Sequence, residues 1–128
     1  MAAKQITVMS QNKPGSMAKI TRALAAKGVN ISGVYASDAR GRGAVRLVVS
    51  NAARAKAALK AAGYRASEEP AVILSLADKP GQLARVSAKL ARARINIPYA
   101  YATVGVGGKR ATIVLGVANA AAARRALR

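Results

Sequence analysis

The chain has 128 residues and a formal net charge of +18, with 22 Lys and Arg against four acids. That length admits one ordinary domain or two very small ones. With no Cys and no His, it excludes disulfides, the usual zinc and transition-metal sites, and Ser–His–Asp or Cys–His nucleophile systems.

The first ten residues are too short and too polar for a signal peptide, and no apolar run approaches the roughly 20 residues of a membrane span. A soluble, cytoplasmic protein is expected, with no membrane association and no cofactor. Hydrophobic residues make up 52% of the chain, but 32 of them are Ala and none is Phe or Trp. The predicted core is therefore thin and aliphatic. A unit of about 60 residues built on it is marginal by itself, because small domains bury a small share of their surface.

Ile6 and Val8 alternate with polar neighbours, the period of a half-buried strand. Pro14-Gly15 stops it, and Met17, Ile20 and Leu24 follow on one face at helical spacing. Gly28 can end that helix in a left-handed conformation. A β-branched run from Val29 to Ala36 predicts a second strand, Asp38 to Gly43 a turn, and Ala44 to Ser50 a third strand with Val45, Leu47 and Val49 inward. Asn51 is placed to cap a helix that buries Ala55, Ala58, Leu59 and Ala62. Gly63 ends it, and Tyr64 to Ser67 forms a short fourth strand.

The same pattern then recurs. A shift of 66 residues places Asn12-Lys13-Pro14-Gly15 on Asp78-Lys79-Pro80-Gly81, and Met17, Ile20 and Leu24 on Leu83, Val86 and Leu90. It also places Val29-Asn30-Ile31 on Ile95-Asn96-Ile97, and Tyr35 on Tyr101. After a loop two residues longer, Val45, Leu47, Val49 and Asn51 match Ile113, Leu115, Val117 and Asn119. The chain reads as a first repeat over 1–67, a linker over 68–70, and a second repeat over 71–128 that lacks its own fourth strand. The second strand of that repeat is expected over Ile95 to Thr103. The order βαββαβ followed by βαββα predicts an α+β fold, helices packed on antiparallel sheet.

The paired motif, (N/D)-K-P-G, fourteen residues, then (V/I)-N-I, resembles the ACT domain family over nearly the whole chain, most closely the small proteins made only of two ACT domains. The resemblance implies ferredoxin-like units and a non-catalytic regulatory role in which a free amino acid binds at an interface between units. Carried over residue by residue, it points to Asn12, Gly15, Asn30 and Ile31 in the first repeat, and to Asp78, Gly81, Asn96 and Ile97 in the second. The chemistry suits a zwitterion. Asp78 can hold an ammonium, Asn can donate and accept, and N–H groups at a helix start beside Gly15 or Gly81 favour a carboxylate. Ser10 and Leu76 stand where some serine-binding members have His, which gives no support to serine. Arg94 replaces the helix-ending Gly28.

Each position carries a second reading. Asn12 and Asp78 could cap the following helices, Asn30 and Asn96 could satisfy backbone at a helix-to-strand junction, and Tyr35 and Tyr101 could serve packing. Gly105-Val106-Gly107-Gly108-Lys109-Arg110 fails as a phosphate loop, since Thr103 stands where the first Gly must be and Arg110 where Ser or Thr must bind magnesium. Arg40-Gly41-Arg42-Gly43 is short for an RNA-binding Arg-Gly segment and matches a turn. No two acids are spaced for paired-carboxylate catalysis, so no enzyme is expected.

The helices expected from sequence carry 13 of the 22 basic residues and none of the four acids, Asp38, Glu68, Glu69 and Asp78. This charge is the footprint of an anionic partner or a solvated basic surface, and it motivates an alternative function, nucleic-acid or polyanion binding. Four tyrosines as the only aromatics make base-stacking platforms sparse. A third reading, compatible with the first, is a subunit that regulates a separate partner enzyme.

Strand order 4-1-3-2, as in familiar ACT units, sets a further constraint. Pairing the two second strands within one chain would separate strand 4 of the first repeat from strand 1 of the second by roughly 29 Å. Glu68-Glu69-Pro70 reaches only about 10 Å. A hairpin of Tyr64 to Ser67 with Ala71 to Ala77 is expected instead, one strand serving both repeats. The exposed second-strand edges then predict a homodimer or larger assembly.

Overall fold

Alternation of apolar and polar residues, broken by Pro-Gly and resumed at helical spacing, fixes most of the elements. The computed structural model describes residues 4–11, 13–39, 42–104 and 109–128. It divides into two compact units, Met1–Glu69 and Pro70–Arg128.

The first unit runs β1 (Lys4–Gln11), α1 (Ser16–Ala26), β2 (Ile31–Ala39), β3 (Arg42–Val49), α2 (Ala52–Ala61) and β4 (Ala66–Glu68). Its strands lie in the order β2-β3-β1-β4 and every pairing is antiparallel. Ile6 and Val8 of β1 and Val45, Leu47 and Val49 of β3 meet Ile20, Leu24, Ala55 and Leu59 from the two helices. The second unit runs β5 (Ala71–Ala77), α3 (Gln82–Arg92), β6 (Tyr99–Val104), β7 (Arg110–Gly116) and α4 (Ala120–Ala126), with the antiparallel order β5-β7-β6. Val72, Ile113, Leu115 and Val117 close on Val86, Leu90 and Ala123. Each repeat thus has its own aliphatic core between one sheet and two helices.

Several boundaries differ from the sequence reading, among them β4, which starts at Ala66 rather than Tyr64. The turn expected over Asp38 to Gly43 is tighter, because Asp38 and Gly43 are themselves a ladder pair. The strand expected from Ile95 begins only at Tyr99. Pro98 has no N–H to give a ladder and restrains Ile97 before it, whereas the first repeat has Ser32 at that place and β2 starts at Ile31. Ala66–Glu68 pairs with β1 while Ala71–Ala77 lies in the other sheet.

The acids around β4 tie it to its own unit. Glu68 accepts from Lys4 at 3.2 Å and from Lys56 at 3.1 Å. The Glu69 carboxylate accepts from Arg46 Nε at 3.1 Å and from the Thr7 hydroxyl, and its N–H donates to Gln5 O. The pair pins the end of β4 to its own sheet and helix.

Hydrogen bonds from Lys56 and Lys4 hold the Glu68 carboxyl below the ordinary glutamate value. A folded-state pKa that is depressed adds stability above the unfolded value, and that stability is lost as pH falls through the folded pKa. The effect is small because the pairs are solvent-exposed and screened. Urea titrations at pH 6 and pH 3 should differ less in Glu68→Gln than in the parent. An unchanged difference would remove Glu68 from the acid response.

Gly28 ends α1 with φ of 69°, and Arg94 takes the same left-handed role after α3 with φ of 59°. A side chain in that region costs roughly 1–2 kcal/mol. It is tolerated because Arg94 N donates to Ala91 O at 3.0 Å and Ile95 N to Leu90 O at 2.9 Å, closing the helix end.

Candidate functional site

The loop from first strand to first helix builds the same geometry in each unit. Gly15 and Gly81 stand at the N-caps of α1 and α3, both left-handed with φ of 91°, and among the described residues no side chain caps either helix. In contrast, Asn51 and Asn119 cap α2 and α4, each Oδ1 accepting a backbone N–H at 3.0 Å. The first turns of α1 and α3 therefore keep N–H groups without a side-chain acceptor, at the positive end of the helix dipole.

Beside each of these turns lies a cleft. The first, about 480 Å³, is bounded by Ser10, the loop from Lys13 to Met17, Ala36 and Ser37 of β2, and Gly43 and Val45 of β3. The second, about 260 Å³, is bounded by Leu76, Asp78, Lys79, Gln82 and Leu83, by Ala102 and Thr103 of β6, and by Ala111 and Ile113 of β7. Under the repeat shift Ser10 falls on Leu76, Ser16 on Gln82, Met17 on Leu83, and Ser37 on Thr103. The clefts are one position in the fold, lined differently.

The expected site residues divide between the ends of the units. Gly15 lines the first cleft and Asp78 the second; Gly81 caps the helix beside it. Asn12 lies outside the described residues, as do Arg40, Gly41 and the residues 105–108 of the loop discounted for phosphate. Asp78 does not cap α3. Its N–H donates to Lys109 O at 2.9 Å, which fixes the loop. Among the described residues its exposed carboxylate has no ion-pair or hydrogen-bond partner.

Asn30, Ile31, Asn96 and Ile97 are elsewhere. Ile31 pairs with Val49 at the start of β2, while the loop end of that strand pairs with Arg42. At about 3.3 Å per residue those ends are roughly 26 Å apart. Asn30 is exposed, and its junction is closed by Ser50, whose Oγ accepts from Asn30 N at 3.2 Å. Asn96 is likewise exposed, and Ile31 and Ile97 pack against their cores. Tyr35 lies under the Arg46 guanidinium at 5.9 Å and lines neither cleft, nor does Tyr101. Ser37, Thr103, Ser16 and Gln82 escaped the sequence reading. The signal lay in the ladder, since Ser37 pairs with Ala44 and Thr103 with Thr112 at the helix-1 end of each sheet.

The family description "ACT domain pair" matches residues 1–127. The chain belongs to this family. Among solved structures, a protein of Bacteroides thetaiotaomicron is similar at 28% identity, covering 99% of this chain and 87% of that one, with a TM-score of 0.88. The ligand-free regulatory subunit of aspartate kinase from Thermus thermophilus shares the fold at 22% identity, 100% and 90% coverage and a TM-score of 0.74. The corresponding subunit from Thermus flavus gives 22%, 98% and 90%, and 0.66. No curated protein sequence matches the chain. Its ACT units carry no helix long and apolar enough to cross a membrane among the described residues.

Proposed function

We propose that this ACT domain pair is a non-catalytic regulatory module that binds a free amino acid and acts on a separate enzyme. The carrying observation is the cleft repeated beside two uncapped helix starts, one of them furnished with the unpartnered Asp78 carboxylate. Helix N–H groups recognise a carboxylate and Asp78 recognises an ammonium. The same fold serves as the regulatory subunit of aspartate kinase in Thermus.

The placement of Asn30 and Asn96 gives the site a second half. Within a unit they stand at the far end of β2 or β6 from the loop. A ligand that touches both must take them from another unit laid antiparallel along that edge strand. β2 and β6 are both edge strands of their sheets, and open edges favour such pairing. The assembly is a homodimer or larger, with the amino acid between chains, in the cytoplasm.

A thermal-shift screen of the twenty amino acids, at low and high salt, tests this. Ligand at a hundred times its dissociation constant adds about 2.7 kcal/mol, roughly 10 °C or more for a domain of this size. No shift with any amino acid would overturn the proposal. Tight RNA or DNA binding that survives roughly 200 mM salt would favour the polyanion reading instead, since binding by bare charge fades in that range. That reading draws on helices carrying ten basic residues, two each on α1 and α4 and three each on α2 and α3, and no acid.

A further inference from the structure

The two clefts hold the same place in the fold but offer different chemistry. Where the first presents the hydroxyls of Ser10, Ser16 and Ser37, the second presents Leu76, Gln82 and Thr103, and Leu83 replaces Met17 on its wall. Ala111 fills the position of Gly43. The second cleft is also the smaller, about 260 Å³ against about 480 Å³. Its apolar lining is Leu76, Leu83, Ile113 and three alanines, beside the polar Asp78, Lys79, Gln82 and Thr103.

We infer that the cleft of the second unit selects an amino acid with a branched aliphatic side chain, and that the first cleft does not share this selectivity. The inference rests on the amino-acid-binding reading and adds the ligand class. Of the four acids, Glu68 and Glu69 are engaged by Lys4, Lys56 and Arg46, and Asp38 lines neither cleft. Asp78 is the cleft carboxylate available to an ammonium. With the ammonium held there and the carboxylate at the first turn of α3, the side chain faces the apolar wall. An aliphatic group removes that wall from water. A serine or aspartate side chain would gain none of that apolar burial.

Isothermal titration of the full chain with leucine, isoleucine, valine, serine, aspartate and glycine tests this. We expect at least one branched aliphatic amino acid to bind on the order of 10-fold or more tighter than serine or glycine, the scale at which apolar pockets discriminate. Leu83→Ser, at a residue 47% exposed and so outside the core, should erase that preference. Asp78→Asn should weaken every amino acid. Serine or aspartate binding as tightly as the aliphatic ligands would overturn the inference and leave the amino-acid reading standing. So would an aliphatic preference untouched by Leu83→Ser. Binding of none of the six, and of none in the wider screen, would overturn both.

Discussion

Gly116→Val is expected to destabilise the protein by about 2–3 kcal/mol, the upper range for overpacking a closed site. Gly116 pairs with Tyr99, and a Cβ built on Gly116 would come within 2.1 Å of the tyrosine ring. Any side chain there must displace the ring from the face of the sheet. The first repeat solves the same contact the other way round. Its equivalent pair is Gly33 opposite Val48, both buried, with the glycine now on the edge strand. One large and one small residue share the site in each unit, with the roles exchanged. The double variant Tyr99→Gly/Gly116→Val should therefore be more stable than the sum of its single losses predicts, by at least about 1 kcal/mol. Urea titration of the four proteins measures the coupling. Strict additivity would show that ring and glycine do not share one space.

Leu90→Ala and its repeat counterpart Leu24→Ala should each cost about 2–5 kcal/mol. Both leucines are completely buried, the middle of the helix face that closes its sheet. These cores contain no aromatic residue other than the half-buried Tyr64 at the margin of the first, so the neighbouring valines and alanines have little reach to collapse into the cavity. Units of about 60 residues have roughly 3–9 kcal/mol in total, and either substitution removes a large part of that. Denaturant midpoints should fall for both. A change below about 1 kcal/mol would mean the cores are looser than the complete burial of these leucines implies.

The duplication, the element order and most of the core were legible in the sequence, because they rest on local signals; Met17 and Leu83, at the outer turn of their helices, and Ala62 are not buried. Period-two alternation marked β1 and β5, and helical spacing marked Ile20, Leu24, Val86 and Leu90. Asn51 was placed as a cap from its position alone, and the structure shows its Oδ1 accepting from Arg54 N. The left-handed end at Gly28 was legible too, whereas Arg94, a departure from that pattern in the sequence, takes the same conformation only in the folded chain. Sequence also brought the two Pro-Gly loops to notice and, through them, the family.

Tertiary structure decided what depends on distance across the sheet. Motif order suggests that Gly15 and Asn30 are neighbours, fifteen residues apart, yet antiparallel pairing puts the loop and the start of β2 at opposite ends of one strand. Only the ladder shows that Ser37 and Thr103, rather than Asn30 and Asn96, stand beside the helix starts. The ties of β4 are of the same kind. Strand pairing there is set by which side chains hold the strand, and Glu68 and Glu69 find their cations on β1, β3 and α2, up to 64 residues away along the chain. Periodicity reports which face a residue occupies; the partner across the strand is fixed by packing and charge that only the folded chain brings together.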